Sequence, residues 1–176
     1  CWFSSEQLTV DDVLQVLRTF QQHGVARLFP TLITNSQAAL EHGFRVLEQT
    51  RCEVPWAARM MAGYHLEGPW ISPEDGPRGA HPLAHVRPCD PHEFAALQRA
   101  AGGMIRLLTL APEVPGALEL IRQATATGVP ILAMVRTGCC RGIRTICGIN
   151  WLNRDWRPVS SPMVSMSRQL CCGGCC

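Results

Sequence analysis

The chain has 176 residues, 47% of them hydrophobic and 17% charged, with a formal net charge of +2. That is ordinary globular composition, long enough for one domain with a real core, and it lacks the basic footprint of a nucleic-acid binder. No apolar run approaches the roughly 18 residues of a membrane span and no signal-peptide pattern opens the chain, so neither nucleic acid nor membrane is an expected partner and a cytoplasmic location is expected.

In chain order, Thr9-Val10-Asp11-Asp12 offers a Thr N-cap with an acid three residues on. Val10, Val13, Leu14, Leu17 and Phe20 then recur at helical spacing, and Gly24 suits the position just past a helix end. A helix is predicted over Thr9–His23. The apolar run Val25–Phe29 reads as a strand that ends or bends at Pro30, before Thr31-Leu32-Ile33-Thr34. Asn35-Ser36 caps a second helix, Gln37–Arg51, which Gly43 weakens.

Ala62–Glu67 is the next strand, broken at once by Gly68-Pro69. Gly68–Pro88 is a long loop rich in Pro and Gly that carries His81 and His85, and loops of that length inside a compact domain are usually functional or disordered. Asp90-Pro91-His92-Glu93 reads as a capping box with Pro at the first helical position, opening a helix that ends at Gly102-Gly103. Met104–Leu110 is a third strand. Pro112-Glu113 opens a helix through Thr127, with Glu113 as a structural complement to the helix dipole. Val129–Ala133 is a fourth strand. This alternation gives an α/β fold with a parallel sheet of about four βα units, either a small open sheet or part of a barrel.

Glu67 lies at the C-terminal end of its strand, the end that carries active sites in α/β proteins. Position alone leaves it as a ligand or base, or as an acceptor for loop N–H groups. His65, two residues earlier, shares its strand face, as a partner of the site or a packed core histidine. His85 and His92 read as solvated.

The segment His65-Leu66-Glu67-Gly68-Pro69-Trp70-Ile71, followed by Gly79-Ala80-His81-Pro82, resembles the N-acetylglucosamine-6-phosphate deacetylases of the amidohydrolase superfamily. Gly24-Val25-Ala26-Arg27-Leu28-Phe29-Pro30-Thr31-Leu32-Ile33-Thr34 upstream and Leu108-Thr109-Leu110-Ala111-Pro112-Glu113 downstream fit it in the same order. The resemblance runs to about Ala133. It implies the N-terminal half of a (β/α)₈ TIM barrel and a hydrolase that removes the acetyl group from N-acetylglucosamine 6-phosphate, giving glucosamine 6-phosphate and acetate. It also implies that Glu67 binds a divalent metal of the zinc or iron class, which lowers the pKa of a water and polarises the acetamide carbonyl. Ala80 and His81 match the sugar-contacting pair of the family. A small sugar phosphate is then the partner, and a complete chain would be a homodimer. No catalytic residue is carried over, because the family's other metal-binding His residues and its catalytic Asp belong to later strands.

After Gly138 the pattern fails. Seven of the ten Cys lie at or beyond Cys139, all six His lie at or before His92, and after Glu119 the only acid is Asp155. Where the family continues with Gly-His-Thr, this chain has Val135-Arg136-Thr137-Gly138. The expectation is a partial barrel domain over residues 1–135 and an irregular Cys-rich tail over residues 136–176, read out of frame from near Ala133–Gly138. Opening on Cys1 rather than Met, the chain is also expected to lack its natural N-terminus. Two further readings compete with a truncated, inactive deacetylase. One is a non-catalytic sugar-phosphate-binding module; the other is a Cys-rich metal-binding protein using the Cys171-Cys172-Gly173-Gly174-Cys175-Cys176 tail.

Overall fold

The computed structural model describes residues 3–134. The expected tail and its Cys pairs lie outside the described residues.

The first helix, α1 (Val10–Gln22), starts as the sequence predicts. Thr9 Oγ1 accepts from the Asp12 N–H at 3.2 Å, and Asp12 Oδ2 accepts from the Thr9 N–H at 3.0 Å. The Thr9 hydroxyl also donates to Asp12 Oδ2 at 2.6 Å, and this bond, with that from the Thr9 N–H, holds the Asp12 carboxyl below its ordinary value. Val13 and Leu17 form the buried stripe. Gly24 turns the chain with φ +81° while the Val25 N–H reaches back to Phe20 O, closing the helix.

The first strand differs from the prediction. Strand β1 is Thr31–Ile33, after Pro30, and not Val25–Phe29. Val25 is spent on the helix end, Leu28 makes only an isolated bridge to Met61, and Phe29 is 43% exposed. Pro30 lacks an N–H but accepts from the His65 N–H at 3.0 Å, so it leads into the strand at no cost to the ladder. Helix α2 (Gln37–Glu53) is capped by Ser36, and a short α3 (Pro55–Met60) follows that the sequence reading did not anticipate. Gly43 has a packing reason: a Cβ there would lie 2.3 Å from the Phe3 carbonyl oxygen.

Strand β2 (Tyr64–Glu67), helix α4 (Pro91–Ala100) and strand β3 (Ile105–Leu110) sit close to their predicted spans. Asp90 caps α4 by accepting from the His92 N–H, but Glu93 does not complete a capping box; it turns inward to Trp70 and Arg87. Helix α5 (Ala117–Ala126) begins later than predicted. Gly116 at φ +82° precedes it, and a Cβ there would come 2.4 Å from the Cys89 carbonyl oxygen. Glu113 therefore lies ahead of the helix and does not complement its dipole. Strand β4 is Ile131–Ala133, because the Val129 N–H is used by Ala124 O at the end of α5.

The four strands form one parallel sheet in the order β1-β2-β3-β4. Right-handed crossovers between sequential parallel strands put the helices on one face, and α1, α2, α4 and α5 pack as neighbours in a row. Leu32, Leu66, Leu108 and Ile131 are register partners and form the buried row beneath them. The alternate row, Ile33, Glu67, Thr109 and Leu132, faces the other way, joined by Thr31, His65 and Leu107. Apart from the buried Thr109, these residues are half-buried, because no described helix covers that face. At the outer edge of β1, Ser4 Oγ accepts from the Ile33 N–H at 2.8 Å and donates to Ile33 O at 3.1 Å. No described helix is long and apolar enough to cross a membrane.

Candidate active site

Glu67 ends β2, and the chain turns there because Gly68 takes φ +77° and its N–H bonds Thr109 O at 2.9 Å. Gly68 has a second role. A Cβ at this position would stand 2.1 Å from Thr34 Oγ1, so only glycine leaves room for that hydroxyl. Thr34, just past β1, is buried.

The long loop returns to this point because it is pinned at its base. Trp70 is fully buried and its Nε1 donates to Glu93 Oε2 at 3.2 Å. Arg87 ion-pairs with the same carboxylate through Nε and Nη2 and donates through Nη1 to Asn35 O at 2.9 Å. A carboxylate this deeply buried needs such a partner. Inside the loop, Arg78 pairs with Asp75 and donates from Nη1 to His81 O at 2.9 Å.

This frame brings Glu67 and His81 together. His81 is 8% exposed; its Nδ1 lies 2.9 Å from Thr34 Oγ1, and its Nε2 lies 3.7 Å from Glu67 Oε1. The Glu67 side chain remains 33% exposed and reachable from outside. Ala80 is exposed beside His81.

His65 belongs to the sheet. Its Nδ1 is 3.2 Å from Thr31 Oγ1 and its Nε2 2.7 Å from Thr109 Oγ1, so both ring nitrogens are engaged. Burial lowers its pKa, opposed by the nearby Glu67 charge. His92 is exposed, whereas His85 is half-buried in a 3₁₀ turn rather than fully solvated. A cavity of about 370 Å³ lies beside the loop, lined by Ile71, Val86, Arg87, Glu113 and Val114 among others, but neither Glu67 nor His81 lines it.

Among the described residues no group of three or more His, Cys, Asp or Glu side chains is placed to hold a metal ion. Glu67 and His81 together offer one hard oxygen donor and one imidazole, the donor types that suit zinc or iron.

The chain has counterparts among known proteins. The chain is 40% identical over 121 residues to the N-acetylglucosamine-6-phosphate deacetylase of Bos taurus and 39% identical over 119 residues to that of Homo sapiens. Each match covers 66% of this chain. The chain is related to part of the N-acetylglucosamine-6-phosphate deacetylases. It spans only 28% of the length of both relatives. The crystal structure of the N-acetyl-D-glucosamine-6-phosphate deacetylase from Mycobacterium smegmatis superposes with a TM-score of 0.60 at 30% identity, covering 73% of this chain and 31% of that one. The four-stranded parallel sheet matches the N-terminal part of the deacetylase fold. No protein-family model matches the chain.

Sequence reasoning missed four residues that build the site: Thr34, Arg78, Arg87 and Glu93. Thr34 stood inside the quoted motif as its last residue. Glu93 carried a competing local signal, the capping-box spacing, that hid its inward role.

Proposed function

We propose that residues 3–134 are part of a (β/α)₈ amidohydrolase barrel that removes the acetyl group from N-acetylglucosamine 6-phosphate, and that this chain alone is inactive. The carrying observation is the meeting of Glu67 and His81 at the C-terminal end of β2, with Nε2 and Oε1 3.7 Å apart. The similarity to the deacetylases supports the substrate class.

In this reading Glu67 holds a divalent ion of the zinc or iron class through its carboxylate charge. When bound, that ion would polarise the acetamide carbonyl as a Lewis acid. His81 contacts the sugar, and Ala80, with no polar side-chain atom, lets the ring approach the loop closely. Trp70, Glu93 and Arg87 hold the loop so that His81 stays over the strand end. A catalytic zinc site usually takes about three protein ligands, and no His follows His92 to supply more imidazoles. The site is thus partial, which supports a chain inactive on its own. The reading carries with it a small sugar-phosphate partner, a cytoplasmic location and, for a complete chain, a homodimer.

Equilibrium dialysis of zinc into the chain, with its cysteines alkylated, tests the metal role. Glu67→Gln keeps the volume and removes the charge. The expected loss exceeds the roughly tenfold seen when an outer-shell partner of a metal ligand is removed. Unchanged affinity in the variant would take Glu67 out of the site.

A further inference from the structure

The site contains a hydroxyl whose single proton decides how His81 presents itself. Thr34 is 1% exposed, so water does not compete for its Oγ1. That oxygen has two polar neighbours: the Glu67 backbone carbonyl oxygen at 3.4 Å and His81 Nδ1 at 2.9 Å. A carbonyl oxygen only accepts, so in the bond with Glu67 O, long at 3.4 Å, the hydroxyl is the donor. The hydroxyl can then meet His81 only as an acceptor, which requires the ring proton to sit on Nδ1. A neutral imidazole carries one such proton, so Nε2 is left bare.

Nε2 and Glu67 Oε1 are 3.7 Å apart, outside hydrogen-bond distance, so no hydrogen bond to Glu67 fixes a proton on Nε2. The position of the hydroxyl is itself built in, since the missing Cβ of Gly68 is what leaves space for Thr34 Oγ1.

We infer that Thr34 is a positioning residue that sets the tautomer of His81, so that its bare Nε2 and the Glu67 carboxylate converge as two acceptors on one spot. Two lone-pair groups so placed favour a guest that brings a cation or an N–H or O–H donor: a divalent ion, the N–H of an acetamide, or a sugar hydroxyl. The consequence for substrate rests on the functional reading above; the tautomer does not.

The two are separated by nuclear magnetic resonance on the chain labelled with ¹⁵N-histidine, in solution or by magic-angle spinning, at a pH where imidazole is neutral. His81→Gln assigns the His81 signals. In the unsubstituted chain His81 should show a protonated Nδ1 and a bare Nε2. Thr34→Ser, which keeps the hydroxyl, should retain that pattern. Thr34→Val, close in shape but without the hydroxyl, should lose it, with the proton moving to Nε2. A proton on Nε2 in the unsubstituted chain overturns the inference, as does Thr34→Val keeping the original pattern or Thr34→Ser losing it. If Thr34→Val does not fold, the unsubstituted chain and Thr34→Ser still decide. The expected tautomer together with zinc affinity indifferent to Glu67→Gln would refute the function and leave the role of Thr34 standing.

Discussion

Gly68→Ala should be a damaging single-methyl addition, and its cost can be worked from two terms. The first is conformational. Gly68 sits at φ +77°, where an L-residue costs roughly 1–2 kcal/mol. The second is steric and local. The new Cβ would lie 2.1 Å from Thr34 Oγ1, so Thr34 must turn away and give up its bond to His81, worth about 1 kcal/mol. The expected loss is about 2–3 kcal/mol of unfolding free energy. Gly24→Ala supplies the control. Gly24 has nearly the same backbone, φ +81°, but nothing lies within 4 Å of a Cβ built there. It should lose the first term alone. Urea unfolding followed by far-UV circular dichroism gives both values from midpoints and slopes. Gly68→Ala costing no more than Gly24→Ala would show that Thr34 yields freely, and would remove the close fit on which the placement of His81 depends.

Arg87→Met leaves the Glu93 carboxylate, in a side chain only 6% exposed, with Trp70 as its remaining polar contact. The same urea measurement should show a loss near 3 kcal/mol, the lower end for breaking a buried pair because Arg87 itself is 27% exposed; a loss under 1 kcal/mol would mean the loop is held by other contacts. Cys89 is buried, and burial first, then the Glu93 charge, push its thiol up to about 12. Near pH 8 it should stay a protonated thiol and resist iodoacetamide while exposed Cys52 reacts, as read by peptide mass spectrometry; equal alkylation without denaturant would contradict the burial. For the chain expressed alone we expect self-association through the uncovered sheet face, and no acetate release from N-acetylglucosamine 6-phosphate above background. Size-exclusion chromatography and an acetate assay check both, and a monomer that releases acetate would defeat the partial-barrel reading.

The elements that the sequence announced well are those whose signals are local. Thr9 and Asp12 lie three apart in sequence and bond each other in the fold, so the start of α1 could be read directly. Tyr64–Glu67 and Ile105–Leu110 are apolar runs between breakers, and both are strands. Where the reading went wrong, a local preference lost to a longer-range demand. Val25–Phe29 has strand composition, but the end of α1 claims Val25, and pairing with β2 begins at Pro30 O and Thr31. Pro112-Glu113 looks like a helix start, but Gly116 packs against Cys89 O and delays the helix to Ala117.

The site divides along the same line. Glu67 was visible at a strand end broken by Gly68, and His81 was named because Gly79-Ala80-His81-Pro82 resembles the deacetylase segment. Their approach to one another was not visible, since it depends on Trp70 and Arg87 converging on Glu93 from different segments. Thr34 was hidden for a further reason. A Thr at a strand end is ordinary, and nothing in its own neighbourhood marks it as polar machinery. It matters because the register Ile33↔Glu67 sets it beside the end of β2, next to the one residue, Gly68, that has no Cβ to fill its space. Register is a property of the pair of strands, so it cannot be read from either strand alone. Replacing Thr34 or Gly68 would disturb the orientation of His81 while leaving Glu67, Ala80 and His81 themselves unchanged.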